Sequence, residues 1–153
     1  MAEPVTAAGT KLYIGGTGVL GSESSWIEIG DVTNLGEFGR VYQKIEHKPV
    51  AERGTQKFKG GYDDGALNLD MARVPGDTGQ AALIAARDSD LAYNFKVELN
   101  DRPVTSSAAL PTTFKFKAKV MSYTANPGQR DNLVGAKVVV EIDSGTIVEA
   151  AAA

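Results

Sequence analysis

The sequence predicts a mostly β domain: an antiparallel sandwich or barrel of about seven or eight strands, with one flanking α-helix (about residues 77–88) and a long flexible loop. Three observations predict it. Apolar and polar residues alternate in short segments along most of the chain, as half-buried strands require. One stretch alone, following Val74-Pro-Gly-Asp-Thr-Gly-Gln80, carries helix signals. Between residues 46 and 57 the patterning fails altogether. The expected organisation is an N-terminal arm at 1–8, a domain at 9–148 with a mobile loop at 46–57, and an Ala-rich tail at 149–153 that frays.

Lys11-Leu-Tyr-Ile14 reads as the first strand, ended by Gly15-Gly16. A Gly/Ser-rich loop runs to Ser25, and Trp26-Ile-Glu-Ile29 alternates again. Turn residues fill 31–39, and Val41-Tyr-Gln-Lys-Ile45 returns to strand character. His47-Lys-Pro-Val-Ala-Glu-Arg-Gly54 mixes both charge signs with Pro and Gly, and reads as the tip of a long loop. Order resumes at Thr55–Lys59. Gly60-Gly61 suggests a bulge, and Asp63-Asp64-Gly65 a turn. Leu67, Leu69 and Met71 then alternate with Asn68, Asp70 and Ala72.

For the helix, Asp77 is a suitable N-cap and Gln80 has the spacing of a capping box. Ala81, Ile84 and Ala85 fall on one face, with Leu83 close to it. Asp88-Ser-Asp90 opposes the macrodipole and stops the helix. Tyr93, Phe95, Val97 and Leu99 give the clearest strand. Asn100–Pro103 reads as a turn and Thr105–Ala108 as a small-residue loop.

The last third reads as a long hairpin turning at Asn126–Arg130. Matching apolar faces pairs Phe114 with Ile142, Phe116 with Val140 and Ala118 with Val138, because a one-residue slip flips a whole face. Lys115 then lies opposite Glu141, a favourable pair, and Lys119 opposite Lys137, an unfavourable one that hints at assembly.

Composition excludes several functions. A formal net charge of −3 and a sequence pI near 5.2 do not suit a protein whose task is to grip nucleic acid. With no cysteine, disulfides, thiolate metal sites and cysteine nucleophiles are excluded. The first nine residues lack a basic n-region and an apolar h-region, so a signal peptide is not expected, and no run approaches a membrane span. No period of 20–50 residues repeats.

No set of residues suggests catalysis, a cofactor or a metal. His47 is the single histidine, in a charged loop, and reads as solvated. Asp63 and Asp64 point to opposite faces if on a strand, and read better as a turn than as a cation site. Gly15-Gly-Thr-Gly18 lacks the Gly-Lys-Ser/Thr of a phosphate loop and leads into no helix. Lys115, Lys117 and Lys119 read as a solvated strand face.

The order and spacing of elements resemble those of the major tail tube proteins of long-tailed phages, in particular the N-terminal domain of the lambda-type tube protein. The resemblance covers about residues 9–148. It is carried by Gly9-Thr-Lys-Leu-Tyr13, by Trp26-Ile-Glu-Ile-Gly-Asp-Val-Thr-Asn-Leu-Gly-Glu37, and by a long loop at 42–60. Its most specific part is Leu67-Asn-Leu-Asp-Met71 followed by Pro75-Gly-Asp-Thr-Gly-Gln-Ala-Ala-Leu83; Tyr93-Asn-Phe-Lys-Val97 and the terminal hairpin complete it. A C-terminal immunoglobulin-like domain of the kind that some relatives append is not expected.

The resemblance implies a structural subunit without enzymatic activity or cofactor. It self-assembles into stacked homohexameric rings, whose channel admits the tape-measure protein and later the ejected DNA. Type VI secretion and gene transfer agent tubes are similar. The implied partners are further copies, the tape-measure protein, and the tail terminator and tail-tip proteins. DNA passes without specific binding, and no membrane is involved. The implied location is the virion tail, after assembly in the host cytoplasm. Tyr42, Lys44, Glu46, His47, Lys48, Glu52, Arg53, Gln56 and Lys57 are expected at contacts between subunits or rings. Asp77, Gln80, Leu83 and Ile84 are expected in an outer brace helix, and Lys115, Lys117 and Lys119 to pair with acids at a subunit contact or face away from the lumen. A minor tail component on the same fold and a small-ligand-binding β-barrel are the alternatives.

Overall fold

A computed structural model describes residues 3–102 and 109–151. The loop expected at 105–108 and the extreme ends of the arm and tail lie outside the described residues. Ten strands, one α-helix and one 3-10 turn are present among those described. The strands are β1 (Lys11–Ile14), β2 (Ile27–Ile29), β3 (Val32–Asn34), β4 (Val41–His47), β5 (Gln56–Asp63), β6 (Ala66–Ala72), β7 (Tyr93–Glu98), β8 (Thr113–Asn126), β9 (Gly135–Ile142) and β10 (Val148–Ala150). The helix α1 spans Thr78–Arg87.

Eight strands form one antiparallel sheet in the order β2-β1-β7-β8-β9-β6-β3, with β10 pairing β8 off this path; β4 and β5 form a separate two-stranded sheet. The two outermost strands, β2 and β3, are successive in sequence and joined only by Gly30-Asp31, so the sheet curls until its ends meet at that corner. Asp31 turns the corner at φ 57°, a left-handed conformation that Asp tolerates better than most side chains.

The alternating segments behave as the pattern requires. Leu12, Ile14, Ile29, Leu67, Leu69, Met71, Phe95, Val97, Phe116, Ala118 and Val120 are buried on one side, with Ala136, Val138, Val140 and Ile142 from β9. Phe95 and Phe116, directly opposite in the register, stack with centroids 5.8 Å apart.

Two strands exceed expectation. β3 lies within the segment read as turn. β10 includes Glu149 and Ala150, paired with Phe114 and Thr113, so the sheet reaches into the segment expected to fray.

The register of β8 against β9 corrects the sequence reading. Ala118 lies opposite Ile142 and Val120 opposite Val140, four residues from the expected pairing. Two causes combine: the connection runs the full length of 127–134, which displaces the pairing by five residues at Tyr123–Val138, and the bulge after Val120 takes one residue back. An even slip leaves the faces intact. Glu141 consequently faces Lys119 rather than Lys115, and Lys137 faces Thr124, so the expected Lys119–Lys137 repulsion is absent.

Helix α1 closes the curled sheet. Asp77 caps it by accepting from the Gln80 backbone N–H at 2.9 Å, and the same carboxylate accepts from Gly30 N at 3.2 Å. The Gln80 side chain does not reach back to Asp77, as a capping box requires. It turns inward, where Nε2 donates to Gly30 O (3.1 Å) and Ala72 O (2.8 Å), and Oε1 accepts from Val74 N (3.0 Å) and Tyr123 Oη (3.4 Å). All four hydrogen-bonding capacities of the amide are used, and they tie the β2–β3 corner to the end of β6. The buried face of α1 is Gly79, Gln80, Leu83 and Ala86. Ala81 and Ala85, expected on it, are exposed, and Ile84 is half-buried. The helix lies flush with β2: a Cβ on Gly79 would stand 2.2 Å from Glu28 O.

Candidate assembly surface

The segment expected as a mobile loop, 46–57, is the end of a β-hairpin. β4 and β5 pair from Val41↔Asp63 to His47↔Gln56, so the unpaired tip is confined to residues 48–55. Glu46, His47, Gln56 and Lys57 belong to the strands. The Gly60-Gly61 step is the bulge: Tyr42 pairs with Tyr62, and the next pair is Lys44 with Lys59.

Because side chains alternate across a strand, the hairpin has two distinct faces. One carries Tyr42, Tyr62, Lys44, Lys59, Glu46 and Lys57. The Tyr42 and Tyr62 rings lie 5.6 Å apart, with Lys59 Nζ 4.8 Å from the Tyr42 centroid. Lys44 and Lys59 stand opposite each other, and their repulsion is relieved by the Tyr42 ring under Lys59 and by Glu46, 2.9 Å from Lys44. Lys48 approaches Glu46 at 3.8 Å, and Gln56 Nε2 donates to Glu52 at 3.3 Å. Arg53 is exposed at the tip.

The other face carries an apolar pair among polar residues, Gln43, His47 and Gln56. Ile45 lies directly opposite Phe58, and the two are 51 % and 55 % exposed; Val41, on the same face, is 70 % exposed. The hairpin has no extensive packing against the eight-stranded sheet. A two-stranded ribbon is marginal on its own, and exposed large apolar side chains gathered in one place mark an interaction surface. The contact residues expected from the sequence are charged or polar and leave out Ile45 and Phe58, although strict alternation from Val41 places Ile45 on one face.

The root of the hairpin is rigid. Asp64 is 1 % exposed; it faces Arg40 Nε at 3.3 Å and accepts from Gly145 N at 2.6 Å, while Ser144 Oγ lies 3.3 Å from its backbone N–H. Arg40 also lies over the Tyr62 ring at 4.1 Å, and hydrogen bonds to Tyr42 and Asp64 hold its pKa above the ordinary arginine value. Asp63, by contrast, only caps the turn, accepting from Gly65 N at 2.8 Å. The Asp63-Asp64 pair is therefore divided between a turn and an anchor, and no group of three or more metal-ligating side chains is present among the described residues.

Beside the root, between the N-terminal arm and the 32–38 segment, runs a groove of about 410 Å³. Its apolar lining includes Val5, Val32, Leu35, Phe38, Leu99 and Phe114. Phe38 packs edge-on to Phe114 at 5.4 Å and so forms part of the floor.

Two lysines of the β8 stripe have partners within the subunit. Lys117 Nζ donates to Thr17 O at 3.3 Å, and Lys119 faces Glu141 across the strands. Lys115 faces Lys96 of β7. Lys96 is held between Tyr13 (4.4 Å) and Trp26 (5.2 Å) with Glu98 at 3.8 Å, and burial, reinforced by Lys115, lowers its pKa. The glycine loop after β1 is pinned by Glu23, which accepts from Gly16 N (2.7 Å) and Asn94 Nδ2 (2.9 Å). These two bonds, the Asn94 one foremost, lower its pKa.

No family model matches the chain, and no curated protein matches it. Solved structures do. The chain is similar to a protein of the anti-feeding prophage baseplate, with a TM-score of 0.74 at 12 % identity over 99 % of this chain and 98 % of that one. It is similar to the SPP1 tail tube protein (0.69, 13 %, covering 97 % and 80 %). It is also similar to a protein in the sheath/tube terminator structure of an extracellular contractile injection system, PVC (0.67, 15 %, covering 98 % and 99 %). The chain thus has the fold shared by tail tubes and contractile injection systems, as its sequence resemblance implies, and these neighbours are structural components.

Proposed function

We propose that this chain is a tail tube subunit that assembles into homohexameric rings, and that the rings stack into the channel of a phage tail or a tail-like particle. The observation that carries the reading is the β4–β5 hairpin: a ribbon anchored rigidly at its root, presenting Ile45 and Phe58 to solvent, on a tube-type fold. A free subunit gains nothing from that arrangement. An assembled one buries the apolar pair, at about 25 cal/mol per Å² removed from water.

In this reading the contact residues are Tyr42, Lys44, Glu46, His47, Lys48, Glu52, Arg53, Gln56 and Lys57, joined by Ile45 and Phe58. The helix residues Asp77, Gln80, Leu83 and Ile84 brace the sheet away from the channel. The tape-measure protein, terminator and tip proteins are its partners, and DNA passes through a lumen that does not hold it. The subunit performs no catalysis, assembles in the host cytoplasm and resides in the virion tail.

Negative-stain microscopy of concentrated protein tests the proposal. Rings and tubes are expected, and a persistent monomer at high concentration overturns it. Deleting 51–57, which also removes Gln56 and Lys57 of β5, is expected to spare the eight-stranded sheet and abolish stacking, and limited proteolysis of the free subunit is expected to cut first within the unpaired tip, 48–55. The similarity to a terminator-containing structure favours a second reading, a capping component on the same fold. On that reading the chain is expected to stop at single rings, where a tube subunit elongates. A ligand-binding barrel has less support: its interior space is taken by Phe95, Phe116 and Leu67, which are fully buried.

A further inference from the structure

We propose that the Ile45–Phe58 pair of one copy seats in the groove floored by Leu35, Phe38, Leu99 and Phe114 of a second copy; the occupant assignment rests on the tube-subunit reading. The two surfaces are complementary and each is unfilled within its own subunit. The knob is a directly opposed aliphatic–aromatic pair, half-exposed on both sides. The groove, about 410 Å³, is apolar along Val32, Leu35 and Phe114 and is of a size that receives side chains of this kind.

A chain cannot satisfy itself. Phe38 stands at the root of the hairpin, and β4 leaves the root as extended strand, so Ile45 lies about 13 Å beyond Val41 at ~3.3 Å per residue. Knob and groove on different parts of one surface make a heterologous contact, which propagates from copy to copy and closes or elongates according to its rotation.

Charge selects the same partner. The hairpin between Val41 and Asp63 carries five basic residues (Lys44, Lys48, Arg53, Lys57, Lys59) against three acidic ones, in a chain of net charge −3, so the acidic excess lies in the rest of the molecule. The segments that line the groove are flanked by exposed Glu3, Asp31 and Glu37, against exposed Lys11 and an Arg40 already paired with Asp64. Lys44, Lys57 and Lys59 lie on the face opposite the Ile45–Phe58 pair, so this asymmetry steers the approach of the basic hairpin and raises the on-rate rather than pairing charges inside the groove.

The absence of native cysteine makes the test direct. Leu35→Cys protein is mixed with Ile45→Cys protein, and separately with Phe58→Cys protein, each at an assembling concentration, then oxidised; Ser89→Cys replaces Leu35→Cys as the control. Disulfide-linked dimers are expected several-fold above the control and above either single variant alone in at least one mixture. No excess over the control, or equal linkage in Phe58→Cys alone through symmetric hairpin pairing, overturns the proposal. Microscopy of the same samples separates the two levels. Tubes without heterodimers sink the groove contact and leave the tube reading standing; heterodimers without tubes do the reverse. Thermal melts that match the parent show that each variant is folded.

Discussion

The Asp64 carboxylate accepts the Gly145 N–H at 2.6 Å, across 81 residues of sequence. With Arg40 on its other oxygen, Asp64 joins the hairpin root to the β9–β10 turn. Asp64→Ala leaves the Gly145 N–H without its partner and removes the counter-charge of Arg40. The expected loss is about 2 kcal/mol in urea unfolding, that of an unsatisfied buried group and below that of a broken, fully buried pair, because Arg40 is partly solvated. Hydrogen exchange should show the hairpin amides loosening first, and unchanged protection of β4 and β5 in Asp64→Ala would contradict the anchoring role.

Gln80 supplies a second test. Gln80→Met keeps the volume of the side chain and removes every hydrogen bond to Gly30, Ala72, Val74 and Tyr123. Unpartnered backbone groups near the β2–β3 corner then cost about 2–4 kcal/mol. Equilibrium denaturation reads this, and a variant as stable as the parent would mean that water replaces the amide without penalty.

Gly79→Ala separates helix propensity from packing. In a free helix the change gains ~1 kcal/mol. Here the new Cβ would lie 2.2 Å from Glu28 O and 2.6 Å from Ile29 Cα, both backbone. The helix must lift from β2, and a net loss of about 1–3 kcal/mol is expected. Gly76→Ala, with nothing within 4 Å of its Cβ, is the matched control and should be close to neutral. A stabilised Gly79→Ala protein would refute the flush contact.

Glu23 ties stability to pH. Its folded pKa is lowered, first by the Asn94 amide and then by the Gly16 N–H. The unfolded chain therefore binds the proton more readily, and stability rises with pH through this window. The contribution is complete above the ordinary value of 4.5 and is lost as pH falls through the lower folded value. Between pH 7 and pH 3, Glu23→Gln should lose less melting temperature than the parent; parallel declines would show that the bond to Asn94 carries no linkage.

Local pattern makes most of the sheet legible in the sequence. Period-2 alternation placed β6, β7, β8 and β9 because a half-buried strand cannot hide its code. Asp77 was equally readable, since an N-cap is a local matter. The β8–β9 register was not: it depends on a bulge after Val120 and on an eight-residue connection, and an even slip leaves every face unchanged. Gln80 was read by its spacing to Asp77, whereas its partners lie 50 residues away at Gly30 and 43 away at Tyr123. Asp64 looked like a turn residue because nothing nearby in sequence announces the Ser144-Gly145 turn that buries it. At the assembly surface, charge drew attention to Lys44, Glu46 and Lys57, while the apolar pair Ile45–Phe58 emerged only once the β4–β5 register was known.

The order of strands in the sheet also sets a timetable for synthesis. β6 lies between β3, which precedes it, and β9, which ends at Ile142. At ~5–20 residues per second, a ribosome that has just finished β6 needs roughly 4–14 s to deliver the last of β9. Throughout that interval Leu67, Leu69 and Met71 occupy a strand with one side unpaired. In a cell making many copies at once, this is the period in which one nascent subunit can pair wrongly with another, and slowing translation beyond Asn126 prolongs it.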